Sequence, residues 1–273
     1  MEFVEAHGAR IPIVGFGSMR LKDDAGREAI LSAIRQGYRH IDTAAFYGNE
    51  KEVGDAIKAS GVKREDIFLT TKVRDNNLKA DDFTRSVDNS LKLLDLPAVD
   101  LLLIHWPNSQ VPMAESIGAL NKARRDGLTR HIGVCNHTVA LLDEAMAVTK
   151  EPLVTNQIEV HPFLDQTKVI EATRHHGMSV TAYCPIARGR VPGNELLERI
   201  GKVHGKTASQ VSLRWLTQQG IIVIPGSGKP ERQKENLDVL DFSLSPAEMN
   251  EIGTLKQPDG RVVNPPQAPK WDL

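Results

Sequence analysis

Two cysteines, Cys135 and Cys184, in 273 residues are too few to staple a secreted scaffold. No run of apolar residues approaches the ~18 needed for a membrane-spanning helix. The opening Met1-Glu2-Phe3-Val4-Glu5 is acidic, without the cationic and apolar regions of a secretory signal. Charge of one sign is missing too: 34 Lys and Arg face 35 Asp and Glu, a net charge of -1. That balance gives no basic face for nucleic acid and no polybasic membrane anchor. What remains is a protein expected in the reducing cytoplasm, with a small molecule rather than a macromolecule or membrane as its partner. No long apolar surface stripe is evident, so a monomer is expected.

What is present is alternation. Phe3 to Ala6 and Arg10 to Pro12 flank His7-Gly8-Ala9 as a small hairpin, placed to plug one end of a larger fold. Apolar strand patterns then alternate with helical ones: Val14 to Gly17 with a helix from Asp23-Asp24, a strand to Asp42 with a helix from Lys51, and a strand to Lys72 with a helix over 81–94. A strand to His105 precedes a helix over 113–126, and a strand to Asn136 precedes one from Thr138. Val154 to Ile158 leads to a helix from Lys168, Met178 to Tyr183 to one from Thr207, and Ile221 to Ile224 to one from Lys229. Eight strand-helix units at a length near ~250 residues favour a closed (β/α)8 TIM barrel, with a doubly wound sheet as the alternative. Extra helices over 194–204 and 245–255 and a Pro-rich tail through Pro258, Pro265, Pro266 and Pro269 lie outside the repeat. No linker interrupts the pattern, so residues 1–273 are expected to form one domain.

Three glycine or histidine motifs point elsewhere and fail. Gly15-Phe16-Gly17 starts a dinucleotide fingerprint, but Arg20 occupies its third glycine position. Gly226-Ser227-Gly228-Lys229 resembles the end of a P-loop, yet Val223 replaces the leading glycine and Pro230 stands where Ser or Thr is required. His175-His176 ahead of Gly177 reads as a helix C-terminus rather than a metal site, and no metal is expected.

The strand ends carry the chemistry. Asp42 and Tyr47, taken alone, read equally well as a helix cap and a loop aromatic. With Lys72 and His105 ending two further strands, a barrel would bring an acid, a phenol, an ammonium and an imidazole to one mouth. An ammonium ~4 Å from a phenol, at an effective dielectric of ~20, favours phenolate by ~4 kcal/mol, enough to bring a pKa of ~10 towards ~7. Tyr47 then becomes a general acid, Asp42 holds Lys72 charged, and His105 donates to a substrate oxygen. Such a set protonates a carbonyl oxygen but supplies no electrons, which implies a hydride-donating cofactor.

These residues resemble the aldo-keto reductase family over essentially the whole chain. Gly37-Tyr38-Arg39-His40-Ile41-Asp42-Thr43-Ala44, with Glu50, Val53 and Gly54, fits one family signature, and Ile132-Gly133-Val134-Cys135-Asn136 fits another. The loop Cys184 to Arg190 and the ending Ala268-Pro269-Lys270-Trp271-Asp272 are most similar to the bacterial 2,5-diketo-D-gluconate reductase branch.

The resemblance implies NADPH-dependent reduction of aldehydes and ketones, among them small dicarbonyls such as methylglyoxal, keto-sugar acids and aromatic aldehydes. Asp42, Tyr47, Lys72 and His105 would be the catalytic tetrad. Gly17, Ser18, Met19 and Cys135 would line the cofactor, Asn136 and Gln157 would bind the nicotinamide carboxamide, and Tyr183 would stack on the ring. Pro185, Ile186, Ala187, Gly189 and Arg190 would cover the pyrophosphate. Ile224, Gly226, Ser227, Arg232, Glu235 and Asn236 match the segment that grips the adenosine and its 2′-phosphate.

Gly226 stands where many relatives have lysine, so relaxed use of NADH is expected. Arg74 stands where relatives often place an aromatic; it is either a solvated arginine or a group that attracts a carboxylate. His137 replaces another aromatic and is expected to pack. Met19, Phe46, Trp106 and Trp271 complete the expected pocket walls. The alternatives are a nucleotide-binding redox sensor with little turnover and a barrel hydrolase.

Overall fold

The computed structural model describes residues 1–272. Its first two strands, β1 (Phe3–Ala6) and β2 (Ala9–Pro12), pair antiparallel about a turn at His7 and Gly8. Eight parallel strands follow: β3 (Phe16–Gly17), β4 (His40–Asp42), β5 (Phe68–Val73), β6 (Val99–Ile104), β7 (Thr129–Cys135), β8 (Leu153–Glu159), β9 (Ser179–Tyr183) and β10 (Ile222–Val223), hydrogen-bonded in sequence order. The sheet closes on itself where Gly15 N donates to Val223 O at 2.8 Å, Val223 N to Ile13 O at 2.8 Å and Gly17 N to Pro225 O at 3.1 Å. The result is the expected (β/α)8 barrel, not a doubly wound sheet.

The helices are α1 (Asp23–Arg35), α2 (Glu50–Ser60), α3 (Ala80–Leu94), α4 (Met113–Arg125), α5 (Val139–Val148) and α6 (Thr167–His175), then α7 (Glu195–His204), α8 (Ala208–Thr217), α9 (Pro230–Leu237) and α10 (Pro246–Gly253). Their sequences explain their placement. In α3, Phe83, Val87, Leu91 and Leu94 recur at three- and four-residue spacing and are buried, while Asp81 and Asp82 occupy the first turn. Capping boxes start α8 (Thr207 with Gln210) and α10 (Ser245 with Glu248), and Asn194 caps α7. The expected helices from Asn194 and Ser245 therefore begin one residue later, because those side chains accept from the first turn instead of joining it.

Every residue of β6 is buried, as a strand covered on both faces must be. Alternation then sorts its side chains. Leu102 and Ile104 pack with the helices in the main core, whereas Leu101 and Leu103 join Cys135, Val154 and Ile222 inside the barrel. Ala6, Ala9 and Ile11 of the hairpin complete that inner cluster, so β1 and β2 close the end of the barrel opposite the strand C-termini. By the same alternation Ile41 and Val73 face the helices, and Asp42 and Lys72 face the interior.

The tail beyond α10 carries no regular structure, yet it is fastened. Glu159, fully buried at the end of β8, accepts from Val262 N at 2.6 Å and Val263 N at 2.8 Å, and Asp272 accepts from Val139 N at 2.9 Å. Those bonds lay residues 262–272 across the barrel mouth.

Candidate active site

Interior-facing residues at the C-terminal ends of the strands meet at that mouth. Lys72 is fully buried; its Nζ donates to Asp42 Oδ1 at 2.5 Å, to Thr43 O at 2.8 Å and to Tyr47 Oη at 3.5 Å. Asp42 Oδ2 accepts from Gln157 Nε2 at 2.8 Å, so both carboxylate oxygens are occupied. Tyr47 comes from a short helical turn after β4 that Gly48 ends with φ +60°, a conformation glycine adopts at no steric cost. The His105 ring stands edge-on to Tyr47 with centroids 5.6 Å apart. All four predicted catalytic residues lie together.

Burial would lower the Lys72 ammonium, but Asp42 and Tyr47 outweigh it and the pKa moves up. His105 is lowered to about 3, by burial first and then by Lys72 and Arg74, so its imidazole is neutral. Tyr47 is raised to about 12: burial dominates, Lys72 pulls down, and Asp42 pushes back up. The direction expected from sequence is the opposite, because residue spacing shows neither the cost of burying a phenolate, which is the largest cause here, nor the Asp42 carboxylate that works against Lys72.

Above this group lies a cleft of about 630 Å³. Of the residues expected around a cofactor, Gly17, Met19, Asp42, Cys135, Asn136, Gln157, Tyr183, Pro185, Ile186, Gly189, Ile224, Gly226 and Arg232 line it. Six do not. Ser18 is buried and accepts from Asn49, Ala187 is buried, and Arg190 is tied to Gly260 O and Gln257. Ser227 turns its Oγ to Lys229 N, Glu235 accepts from Thr207, and Asn236 is buried. Among the expected substrate residues Met19, Phe46, His105 and Trp106 line the cleft. Trp271 meets Trp106 edge-on at 6.1 Å, and Arg74 sits at the rim over Phe46.

Asn136 takes a left-handed conformation, φ 58°, which asparagine tolerates better than most residues. It ends β7 with its amide turned into the mouth, accepting from Tyr183 Oη at 2.7 Å and donating to His105 O at 2.9 Å. One amide hydrogen of Asn136 and both an oxygen and a hydrogen of Gln157 stay available for a planar carboxamide. Arg20, Arg188 and Arg232 supply cations along the same cleft, and among the described residues Asp42 is its one carboxylate. This donor set fits a nicotinamide nucleotide: amides for the ring, the Tyr183 aromatic beside it, and guanidinium groups for phosphates.

Arg20, Val263, Pro265 and Gln267 escaped the sequence reading, and Arg188 entered it only as part of the loop Pro185 to Arg190. The two arginines have positive φ, 72° and 52°, but no sequence signal predicts that in an arginine. The three tail residues reach the cleft because Glu159 and Asp272 anchor the tail. Gly226 has a structural reason for its identity. A Cβ there would stand 2.2 Å from Gly17 O, so no side chain fits at position 226 on this backbone. His137 packs as expected: it is buried, Nδ1 meets Cys135 O at 2.9 Å, and its pKa falls to about 4 through burial.

Comparison with known proteins matches residues 13–257 to the Aldo/keto reductase family. Methylglyoxal reductase DkgB of Escherichia coli O157:H7 is 41% identical over 266 residues, 96% of this chain and 99% of that protein. The crystal structure of a proposed 2,5-diketo-D-gluconic acid reductase B superposes with a TM-score of 0.96 at 48% identity, covering 100% of this chain and 98% of the other. A Bombyx mori aldo-keto reductase in complex with NADP does so with a TM-score of 0.85 at 33% identity, covering 91% and 90%.

Proposed function

Because the chain belongs to the aldo-keto reductase family, we propose that it reduces small aldehydes and ketones to alcohols with NADPH, using Tyr47 as the proton donor. The observation that carries this is the buried chain Gln157–Asp42–Lys72–Tyr47 ending beside a neutral His105. Methylglyoxal and keto-sugar acids head the substrate classes, on the strength of the relatives' names.

When bound, the reduced nicotinamide supplies the hydride. The carbonyl oxygen lies between Tyr47 and His105. His105 donates one N–H to it, which polarises the carbonyl without handing over the proton. Tyr47 Oη transfers its proton to that oxygen as negative charge develops there. The phenolate left behind stands 3.5 Å from the Lys72 ammonium, which Asp42 and Thr43 O hold in place and keep charged. A phenol raised to about 12 is fully protonated at neutral pH and so loaded for donation. The walls from Phe46, Trp106 and Met19 exclude water from the reacting carbon.

For the cofactor, Arg232 lines the cleft near position 226, where no side chain is sterically allowed. The 2′-phosphate therefore meets fewer cations than a lysine at 226 would give, and NADH is accepted with reduced discrimination. Cys135 and Cys184 are both free, and among the described residues no helix is long and apolar enough to cross a membrane.

The test is NADPH oxidation with methylglyoxal, an aromatic aldehyde and 2,5-diketo-D-gluconate, by the wild type and Tyr47→Phe, together with NADPH and NADH dissociation constants from fluorescence titration. Turnover should fall at least ~100-fold in the variant, the low end for a lost general acid, with NADPH affinity unchanged. Tight binding without turnover on any substrate would replace the reductase with a nucleotide sensor. An NADPH preference as large as that of a lysine-bearing relative would remove the relaxed cofactor reading alone.

A further inference from the structure

Arg74 is the first residue after β5, on extended backbone (φ -70°, ψ 150°) two positions beyond Lys72. Its guanidinium carbon lies 4.7 Å from the centre of the Phe46 ring, and that ring in turn stands edge-on to His105 at 6.2 Å. Phe46 lines the cleft and is 56% exposed, so Arg74 is held at the rim by stacking rather than swinging free. Among the described residues its one ion pair is Nε to Asp75 Oδ1, at 3.6 Å, with the side chain 47% exposed. The two terminal nitrogens keep the planar fork that matches a carboxylate.

We propose that Arg74 is the carboxylate-binding residue of the substrate site, selecting aldehydes and ketones whose carboxylate is separated from the reacting carbonyl by several bonds. The proposal rests on the reductase reading above. Its length requirement follows from Phe46. The ring packs against both His105, at 6.2 Å, and Arg74, at 4.7 Å, so a substrate with its carbonyl at His105 extends along that ring to bring a carboxylate to the guanidinium. A carboxylate three or more carbons away passes along the Phe46 face to the rim. The alternative, an arginine that merely packs on an aromatic, would change acidic and neutral substrates alike when removed.

The experiment compares matched pairs, succinic semialdehyde with butanal and 4-carboxybenzaldehyde with 4-methylbenzaldehyde, in the wild type, Arg74→Gln and Asp75→Asn. Arg74→Gln keeps most of the stem and removes the charge. It should lower the acid-to-neutral ratio of kcat/KM about tenfold, mainly through KM for the acids, the equivalent of about 1.4 kcal/mol. Asp75→Asn removes the competing carboxylate and should raise the ratio, a direction no general loss of structure produces. Raising the salt should depress the ratio in the wild type and leave it flat in Arg74→Gln. A ratio unchanged in Arg74→Gln overturns the assignment while leaving the reductase standing. Failure of the wild type to reduce any of the four aldehydes overturns the reductase reading and this assignment with it.

Discussion

At the scale of single residues, the electrostatics of the mouth set the pH at which it can act. With His105 lowered to about 3 and Tyr47 raised to about 12, neither changes its protonation between pH 6 and pH 9. A general acid works while protonated, so activity is lost as pH rises through its pKa, and here that lies far above neutrality. The reductive kcat/KM should be flat across pH 6 to 9 in initial-rate measurements. A fall centred near pH 7 would mean that bound cofactor brings the phenol down and that Lys72 is freer of Asp42 than the 2.5 Å contact indicates. Sequence alone showed which four residues converge, because strand alternation and the C-terminal-face rule place them. It gave the Tyr47 shift the wrong sign because pairing and burial depend on distances that no spacing encodes. Arg20 stayed hidden for a related reason: its left-handed backbone is imposed by the loop around it.

At the scale of elements, the eight strands and their helices were legible because each writes its own period, apolar runs for strands buried on both faces and three-to-four spacing for helices. The tail was not, since a proline-rich segment has no period. What positions it is a long-range contact, Glu159 to the Val262 and Val263 amides, made across about a hundred residues of chain. His161 Nε2 shares the same carboxylate at 2.9 Å. Glu159→Ala leaves both half-buried amides without their acceptor, a loss of about 0.5–1.5 kcal/mol for each hydrogen bond. The expected result is faster proteolytic cleavage within 257–272 and a higher KM for carbonyl substrates, because Val263, Pro265 and Gln267 then leave the cleft wall. Unchanged cleavage kinetics would show that the Asp272 contact with Val139 N alone holds the segment.

At the scale of the whole molecule, stability carries a signature of its buried histidines. His40, His105 and His137 all have pKa values below the ordinary 6.5, each through burial first. A group whose folded pKa is depressed binds fewer protons folded than unfolded once pH drops below the unfolded value. The stability is complete above pH ~6.5 and declines as pH falls, by up to ~1.4 kcal/mol per pH unit for each histidine until its folded pKa is reached. The melting temperature should therefore drop between pH 7 and pH 5, and His137→Phe should shallow that drop if the phenyl ring packs in its place. An equally steep decline in the variant would assign the acid sensitivity elsewhere. The hairpin that closes the far end of the barrel, and the side chains packed above it, block the barrel axis, so whatever occupies the mouth has to come and go by that one side.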